Sequence, residues 1–543
     1  MKERITYLLA EGQEGVNPAN LRITEDSLRL PGIVAAKEWR VTLSADQLPE
    51  EIQDVLKDSH ELHVRWASTI HYDHVTPLLS RLSPGLHAFY TPLKGKAVSS
   101  TICPAIKNIF GRELKCDQAA NAFSKTQVLS ERFASSAAYQ YYQQVPHLRD
   151  LRTWLSDKIC QNSDGGCAAE VKTLAAASLL DFDYDAISQA VVVSATWPAE
   201  YREDVVRQWS KDDRVEIGVL NKEASKEGEE ISLGGFLTVL GDDDHPKPTL
   251  FSFPSRHHQI PASGPESVAF KASFRQPTGL HPTLQLTFDN SAFEPPSPSC
   301  SLHSYLTIPS TLFIDRYQFS DTLFLTSQNL VALRNLAGET DLEAPEWVTR
   351  RWGSSALFEL LVPDDVPKAQ RPKSPSDAWV VNIPMHLRYL PPRGQNDSST
   401  FPPSLMSSDD IPGVNGTRYT SVPYPVVFWA CPAESGLKMS VNPFDKVNLG
   451  YDGLFGPKTM FWHVPPNKPV EADSLSGTEE GLVAELEVPV LDLDKSQNVE
   501  RVTGLVVLLG FAWICWRLYA GLSGQGEAPK KAKGGEGSVK KRE

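Results

Sequence analysis

Four histidines near the N-terminus are close enough in sequence to suggest a metal site. They form two His-x-x-His pairs, His60 with His63 and His71 with His74. On a helix the two members of such a pair share one face and can ligate zinc. However, Glu61–Ala67 alternates like a strand, which places His63 on its polar side, and no carboxylate or cysteine completes a recognised zinc spacing. We therefore predict exposed histidines of strands and turns, and no metal site.

Two acid-x-acid pairs resemble the motif with which nucleotide-sugar transferases hold a metal ion against diphosphate oxygens. They are Asp181 with Asp183 and Asp492 with Asp494. A chain with 67 acidic residues among 543 contains several such pairs by composition alone. A metal-dependent glycosyltransferase is therefore the weakest hypothesis, and unchanged glycosyl transfer with alanine at Asp181 and Asp183 would exclude it.

The glycine-rich stretch Gly450–Thr459 resembles a phosphate-binding loop but departs from it at one position. Pro457 separates the last glycine from Lys458, and proline lacks the backbone donor that a phosphate cradle needs. Neither a Gly-x-Ser-x-Gly elbow nor a Gly-x-Gly-x-x-Gly fingerprint occurs in the sequence. We predict no catalytic residue and no cofactor-binding residue.

Six of the seven cysteines lie outside the apolar segment near the C-terminus and could form three disulfides. Fifteen full pairings are possible. Proximity favours 103–116 and 160–167, which leaves 300–431, while buried free thiols in a reducing compartment remain the alternative. The candidate disulfide cysteines are Cys103, Cys116, Cys160, Cys167, Cys300 and Cys431.

Composition indicates a mostly β protein that does not bind nucleic acid. The chain has 41 prolines, which shorten helices, and its apolar fraction of 41% is that of a globular protein. Its 53 basic and 67 acidic residues give a net charge of −14, so a broad basic face for nucleic acid is excluded.

Residues 502–522 form an apolar run interrupted only by Arg517. As a helix this run is about 30 Å long, which matches the hydrocarbon core of one bilayer. Basic residues follow it more densely than they precede it, so the positive-inside rule predicts a cytosolic tail and a lumenal N-terminal part. A tail anchor with the large part in the cytosol is the alternative, because residues 1–14 lack the apolar run of a secretory signal.

Two short signals agree with the lumenal orientation. Asn396 and Asn415 begin Asn-x-Ser/Thr acceptors, which we predict to be glycosylated in the lumen. Lys540 and Lys541 are the fourth and third residues from the end and resemble the dilysine retrieval signal of endoplasmic-reticulum membrane proteins. A basic tail that binds anionic lipid is the alternative interpretation.

Short strands separated by turns predict a β-sandwich or jelly-roll-like fold, with some helix in the N-terminal half around Leu148–Leu155. Thr283–Phe288 and Val381–Tyr389 alternate, and Tyr424–Cys431 reads as a buried strand. The predicted organisation along the chain is an N-terminal lumenal region (1–240), a linker (241–280), a β domain (281–465), an acidic stalk (466–501), a transmembrane helix (502–522) and a basic cytosolic tail (523–543).

The β domain and flanking segments resemble the PIG-X family and its fungal branch. The resemblance rests on His281–Leu284, Tyr305–Tyr317, Asp341–Glu346, Ile383–Tyr389, Pro425–Cys431, Asn442–Asp445 and Leu449–Phe455, with Glu61–Trp66 and Leu82–Leu86 in the N-terminal part.

This resemblance implies a non-catalytic, stabilising subunit of glycosylphosphatidylinositol (GPI) mannosyltransferase I in the endoplasmic-reticulum membrane. The implied partner is the polytopic, PIG-M-type catalytic subunit, which adds the first mannose to the GPI-anchor precursor. No cofactor is implied, and a chaperone-like role for other lumenal proteins is associated with fungal members. The alternative function is a general lumenal folding factor without a dedicated enzyme partner.

Overall fold

The structure is a computed structural model. It describes residues 1–523 except 11–12, 14, 71–77, 127–137, 161–165, 209, 211, 226–227, 261–266, 290–293, 367–370, 372–373, 375–376, 393–416, 434–441, 443, 446–448 and 468–480.

Strands dominate the described part of the chain. In chain order they are β1 (Lys2–Leu9), β2 (Arg22–Ile23), β3 (Ser27–Arg29), β4 (Ile33–Ser44), β5 (Ser59–Ala67), β6 (Gly85–Pro92), β7 (Ser124–Lys125), β8 (Tyr139–Gln143), β9 (Leu179–Asp185), β10 (Ala190–Arg202), β11 (Val205–Arg207), β12 (Arg214–Glu223), β13 (Glu230–Val239), β14 (Lys247–Pro254), β15 (His257–Gln259), β16 (Phe270–Phe274), β17 (Thr283–Phe288), β18 (Ser301–Pro309), β19 (Leu312–Phe313), β20 (Leu330–Gly338), β21 (Gly353–Leu360), β22 (Trp379–Pro384), β23 (His386–Leu387), β24 (Thr417–Pro423), β25 (Val426–Pro432), β26 (Thr459–Val464) and β27 (Val483–Pro489).

Helices are short except for the last. They are α1 (Glu50–Leu56), α2 (Ile102–Phe110), α3 (Ala119–Ala122), α4 (Arg149–Lys158), α5 (Gly166–Thr173), α6 (Thr322–Ser327) and α7 (Ser496–Ser523). The mostly β prediction is therefore confirmed, as is the helical part around Leu148–Leu155, where Leu151 and Trp154 of α4 are buried.

The chain divides into two compact units, a β body formed mainly by residues 1–391 and 418–488 and a C-terminal unit that contains α7. In the β body an eleven-stranded sheet has the order β14-β13-β12-β1-β4-β10-β9-β5-β6-β8-β7, and a six-stranded sheet has the order β15-β26-β25-β18-β21-β20. The paired strands of these sheets are antiparallel except β1 with β12 and β15 with β26, which are parallel.

Alternation of apolar residues explains the small sheet β16-β17-β22. Leu284, Leu286 and Phe288 of β17 are buried at every second position, and β22 repeats this pattern opposite it. The strand predicted at Val381–Tyr389 is divided, because β22 ends at Pro384 and β23 pairs with β19 in a different sheet. Proline cannot donate to the ladder, which accounts for the interruption.

The segments predicted as an N-terminal region and a separate β domain share one core. Leu82 and Phe89 from the N-terminal half pack in the same cluster as Tyr305, Phe428 and Phe461 from the later half. These residues bury the facing surfaces of both segments, so the two halves fold as one body.

Two of the predicted connecting segments differ from expectation. The segment 241–280, for which a linker was predicted, instead contributes β14, β15 and β16 to three sheets. In the segment predicted as a stalk, residues 483–489 form β27, which pairs with β24. Both predictions relied on the high polar and proline content of these stretches, which is also typical of edge strands.

Candidate partner-binding site

A buried arginine connects three distant parts of the β body. Arg65 on β5 faces Asp181 on β9, its partner in the strand register, and its Nε lies 2.8 Å from an Asp181 carboxylate oxygen. Its Nη2 lies 3.0 Å from the carboxylate of Asp445, and its Nη1 donates to the carbonyl of Ser80 at 2.8 Å. Burial disfavours the cation, but the two carboxylates outweigh this cost and raise the pKa of Arg65 above its usual range.

This arrangement accounts for the acid-x-acid pair on β9. Asp181 pairs with Arg65, and Asp183 lies 2.5 Å from Nδ1 of His63, two residues along the neighbouring strand. Each carboxylate therefore has a cationic or imidazole partner on β5. The expectation that His63 is exposed was wrong, since both faces of β5 are covered inside the eleven-stranded sheet.

The predicted histidine cluster is not brought together within the described residues. His60 lies where the register of β5 against β6 shifts by one residue, whereas His63 lies beyond this irregularity and contacts Asp183. His71 and His74 lie outside the described residues. Among the described residues, no group of three or more His, Cys, Asp or Glu side chains could hold a metal ion.

A second buried cluster surrounds Asp452 in the glycine-rich segment. His257 donates from Nε2 to the Asp452 carboxylate at 3.0 Å, and its Nδ1 lies 3.0 Å from Nε2 of His463. Arg256 donates to the Asp452 and Gly456 carbonyls at 3.4 and 3.2 Å. Burial, followed by the neighbouring His257, holds the pKa of His463 well below its usual range.

These two clusters hold the body together and are closed to solvent. Arg65, Arg256, His257, Asp452 and His463 are each at most 3% exposed. A substrate would have to displace packed side chains to reach them. Each cluster links residues from both halves of the chain, so we interpret the two clusters as structural. The glycine-rich segment Gly450–Leu454 is a short 3-10 helix of the core and not a phosphate loop.

An exposed group of apolar side chains is the better candidate for function. It consists of Leu342, Trp347, Val348 and Tyr389, which we call the aromatic patch. Trp347, Val348 and Tyr389 are 59%, 57% and 70% exposed, whereas their neighbour Glu346 is buried.

Two hydrogen bonds connect the two chain segments that carry the aromatic patch. The Glu346 N–H donates to the Tyr389 carbonyl at 3.0 Å, and Arg388 donates to the Ala344 carbonyl at 2.7 Å. Glu346, which is buried, forms an ion pair with the exposed Lys115. Exposed apolar groups held in place in this way are typical of protein–protein contacts.

The six candidate cysteines are paired in the structure as proximity favours. Cys103–Cys116, Cys160–Cys167 and Cys300–Cys431 form disulfides with Cα separations of 5.2, 5.6 and 4.3 Å. The last one joins the start of β18 to β25, two neighbouring strands of the six-stranded sheet. Cys515 in α7 is free.

The C-terminal unit carries one helix that is long and apolar enough to cross a membrane. At 28 residues and about 1.5 Å per residue, α7 is about 42 Å long. The second acid-x-acid pair, just before α7, has a local structural role. Asp492 caps a short 3-10 helix, and its carboxylate accepts the Asp494 N–H at 2.9 Å. Asn396, Asn415, Lys540 and Lys541 lie outside the described residues.

Sequence reasoning missed the aromatic patch and the two aspartates that anchor the buried clusters. Asp445 and Asp452 are far in sequence from Arg65 and His257, so no spacing rule could pair them. The sequence did contain one signal for the patch. Two segments that carry the family resemblance, Asp341–Glu346 and Ile383–Tyr389, include or directly precede the patch residues.

Comparisons with known proteins agree with that resemblance. Residues 277–519 match the family described as PIG-X / PBN1. The relative from Emericella nidulans, named Protein pbn1, is 42% identical over 541 residues, covering 95% of this chain and 95% of its own length.

Relatives from other fungi are equally similar. Protein pbn1 of Neurospora crassa is 44% identical, covering 97% of this chain and 96% of its own. Protein pbn1 of Aspergillus oryzae is 41% identical over 98% of each chain. These matches extend well beyond the segment of the family match, and the chain belongs to the PIG-X / PBN1 family.

Proposed function

We propose that this protein is the non-catalytic, stabilising subunit of GPI mannosyltransferase I, the complex that adds the first mannose to the GPI-anchor precursor in the endoplasmic reticulum. The observation that carries the proposal is family membership along nearly the whole chain. Its partner is the polytopic, PIG-M-type catalytic subunit.

The architecture supports an accessory role. A transferase that takes mannose from a lipid-linked donor must hold two lipid substrates in a cavity within the membrane, and one helix cannot enclose such a cavity. In the described residues α7 is the one helix suited to crossing a bilayer. A single span and a β body can instead bind a polytopic neighbour inside the bilayer and outside it.

The aromatic patch is the proposed contact on the β body. Burying Trp347, Val348 and Tyr389 against a partner removes apolar surface from water and uses side chains that are frequent among binding hot spots. Within the membrane, Gly504, Gly510 and Gly521 of α7 would permit close helix contact.

The proposed location is a single-pass protein of the endoplasmic-reticulum membrane. The β body faces the lumen, where Asn396 and Asn415 are glycosylated, and residues 523–543 form the cytosolic tail with Lys540 and Lys541 as retrieval signal. The basic residues after the span support this orientation.

Affinity purification of the full chain in mild detergent tests the proposal. We expect one polytopic mannosyltransferase to co-purify in a one-to-one ratio. The double variant Trp347→Asp with Tyr389→Asp should reduce recovery of the mannosyltransferase at least tenfold. The control is Leu250→Asp, which changes an exposed apolar residue on β14 outside the patch and should leave the recovery unchanged. Equal recovery with the patch variant would show that the patch is not the contact.

A general folding factor is the second candidate, because an exposed apolar patch could also hold unfolded lumenal proteins. The same purification separates the two functions. A folding factor would recover many proteins in amounts below one per chain, and none in a fixed ratio.

A further inference from the structure

A cavity lined by three cations lies at the end of strand β20. Its volume is about 220 Å³. Among the described residues that line it there is no carboxylate, although the whole chain has more acidic than basic residues. The lining residues are Lys125, Arg316, Leu336, Ala337, Gly338, Thr340 and Arg351.

Four separate parts of the chain build this pocket, and buried contacts hold them there. Trp352, next to Arg351 in sequence, is buried. Its backbone N–H donates to the Ala122 carbonyl at 3.3 Å, and its indole N–H donates to the Gln140 carbonyl at 2.9 Å. Gln140 pairs with Ser124 in the sheet, next to Lys125. The pocket is therefore a fixed part of the β body.

The three cations retain free donors. Arg316 lies over the Tyr317 ring at 4.9 Å and donates to the Tyr317 hydroxyl at 2.9 Å. Arg351 donates one N–H to the Gly338 carbonyl at 3.3 Å. In the described part of the chain none of the three cations forms an ion pair, and each guanidinium has five N–H donors.

The two carboxylates adjacent in sequence to lining residues each accept a backbone N–H. Asp315 accepts the backbone N–H of Tyr317 at 2.9 Å. Glu339, between two lining residues, accepts the N–H of Asp341 at 3.2 Å. Three like charges around one cavity repel each other, and an anion bound between them would remove that cost.

We propose that this pocket binds the phosphate group of an anionic membrane lipid. Arginine matches phosphate oxygens with two parallel donors, and lysine adds a point charge. The cavity is smaller than the usual pocket of about 300 Å³ or more for a whole small molecule, so it suits a head-group phosphate with the acyl chains outside.

Lipid is favoured over free phosphate for two reasons. Leu336 lines the pocket and Tyr317 beside it is 62% exposed, which offers apolar surface to the glycerol and acyl part. In addition, the chain that carries this pocket also carries a helix suited to crossing a bilayer, so lipid is the phosphate source that a membrane protein meets.

Native mass spectrometry of the full-length chain from neutral detergent tests this inference. The probes are phosphatidic acid, diacylglycerol with the same acyl chains, and inorganic phosphate. We expect the wild-type chain to bind phosphatidic acid at least tenfold more tightly than either of the other two.

The variants locate the binding. Arg316→Gln with Arg351→Gln should weaken phosphatidic acid binding at least tenfold, and Lys125→Gln should weaken it independently. Arg350→Gln is the matched control, since Arg350 is exposed, adjacent to Arg351 and outside the pocket lining. An unchanged unfolding temperature without lipid shows that the variants are folded.

Two results would overturn the inference. Undiminished lipid binding by the double variant would place the lipid elsewhere, for example on α7. Equal binding of inorganic phosphate and phosphatidic acid would make the pocket a site for free phosphate. No mannosyltransferase is present in this experiment, so its outcome is independent of the proposed function.

Discussion

At the scale of single residues, the buried ion pairs of Arg65 connect the two halves of the β body. Arg65 and Asp445 are 380 positions apart, and both are buried. A buried pair adds little net stability over an apolar substitute, but removing one partner leaves the other charge without compensation.

Arg65→Met should therefore lower the free energy of unfolding by about 3–5 kcal/mol, because Asp181 and Asp445 would remain buried without a cation. Thermal unfolding of the purified full chain measures this effect. Arg29→Met is the control, since Arg29 is exposed on β3 and should change stability by less than about 0.5 kcal/mol. Similar unfolding temperatures for both variants would contradict the structural role of Arg65.

Buried histidines make stability depend on pH. Burial lowers the pKa of His87 to about 4, and its Nε2–H donates to the Ser83 carbonyl at 2.7 Å. His87 is thus neutral in the folded chain at a pH where it is already protonated in the unfolded chain. Its contribution is fully present above about pH 6.5 and is lost as the pH falls towards 4.

The expected loss from His87 alone is about 3 kcal/mol at pH 4 relative to pH 7, since one pKa unit corresponds to about 1.4 kcal/mol. His87→Gln should therefore show a shallower decline in unfolding free energy between pH 6.5 and 4 than the wild type. His245→Gln, at an exposed position, should follow the wild-type curve. Parallel curves for wild type and His87→Gln would mean that His87 is protonated in the folded state.

At the scale of elements, alternation predicted individual strands well and their partners poorly. The strand at Thr283–Phe288 is found with the predicted bounds, because one face is buried and the other is not. His63 was predicted to lie on an exposed face, since alternation alone does not reveal that a second layer covers it. Pairings such as Arg65 with Asp445 depend on the tertiary fold, which no local pattern contains.

Strand β25 is an interior strand of the six-stranded sheet, between β26 and β18. Trp429 is 1% exposed and lies between β18 and β26. Trp429→Asp would bury a carboxylate among apolar side chains and should cost more than about 4 kcal/mol. Limited proteolysis of the full chain should then cleave this region rapidly, whereas Leu250→Asp on the edge strand β14 should remain resistant. Wild-type resistance in Trp429→Asp would disprove the central position of β25.

The proposed orientation of α7 in the membrane can be tested through the two glycosylation acceptors. If the basic tail is cytosolic, Asn396 and Asn415 face the lumen and carry glycans. Endoglycosidase H should then increase gel mobility, and replacing both asparagines by Gln should abolish the change. An unaffected protein whose residues 1–501 are digested by protease in sealed microsomes would show the tail-anchor orientation.

At the scale of the whole molecule, the proposed role of the β body and of α7 is to stabilise a larger enzyme. Binding that favours the folded, assembled state of a partner protects it from degradation. A change of about 1–2 kcal/mol is enough to alter the abundance of a membrane protein several-fold under cellular quality control.

The most direct measurement is the steady-state amount of the mannosyltransferase catalytic subunit in cells depleted of this protein. We predict that it falls several-fold, that the unmannosylated glucosaminyl-inositol lipid accumulates, and that wild-type chain or Leu250→Asp restores both while Trp429→Asp does not. Normal abundance of the catalytic subunit together with lost mannose transfer would contradict stabilisation and indicate a direct role in handling substrate.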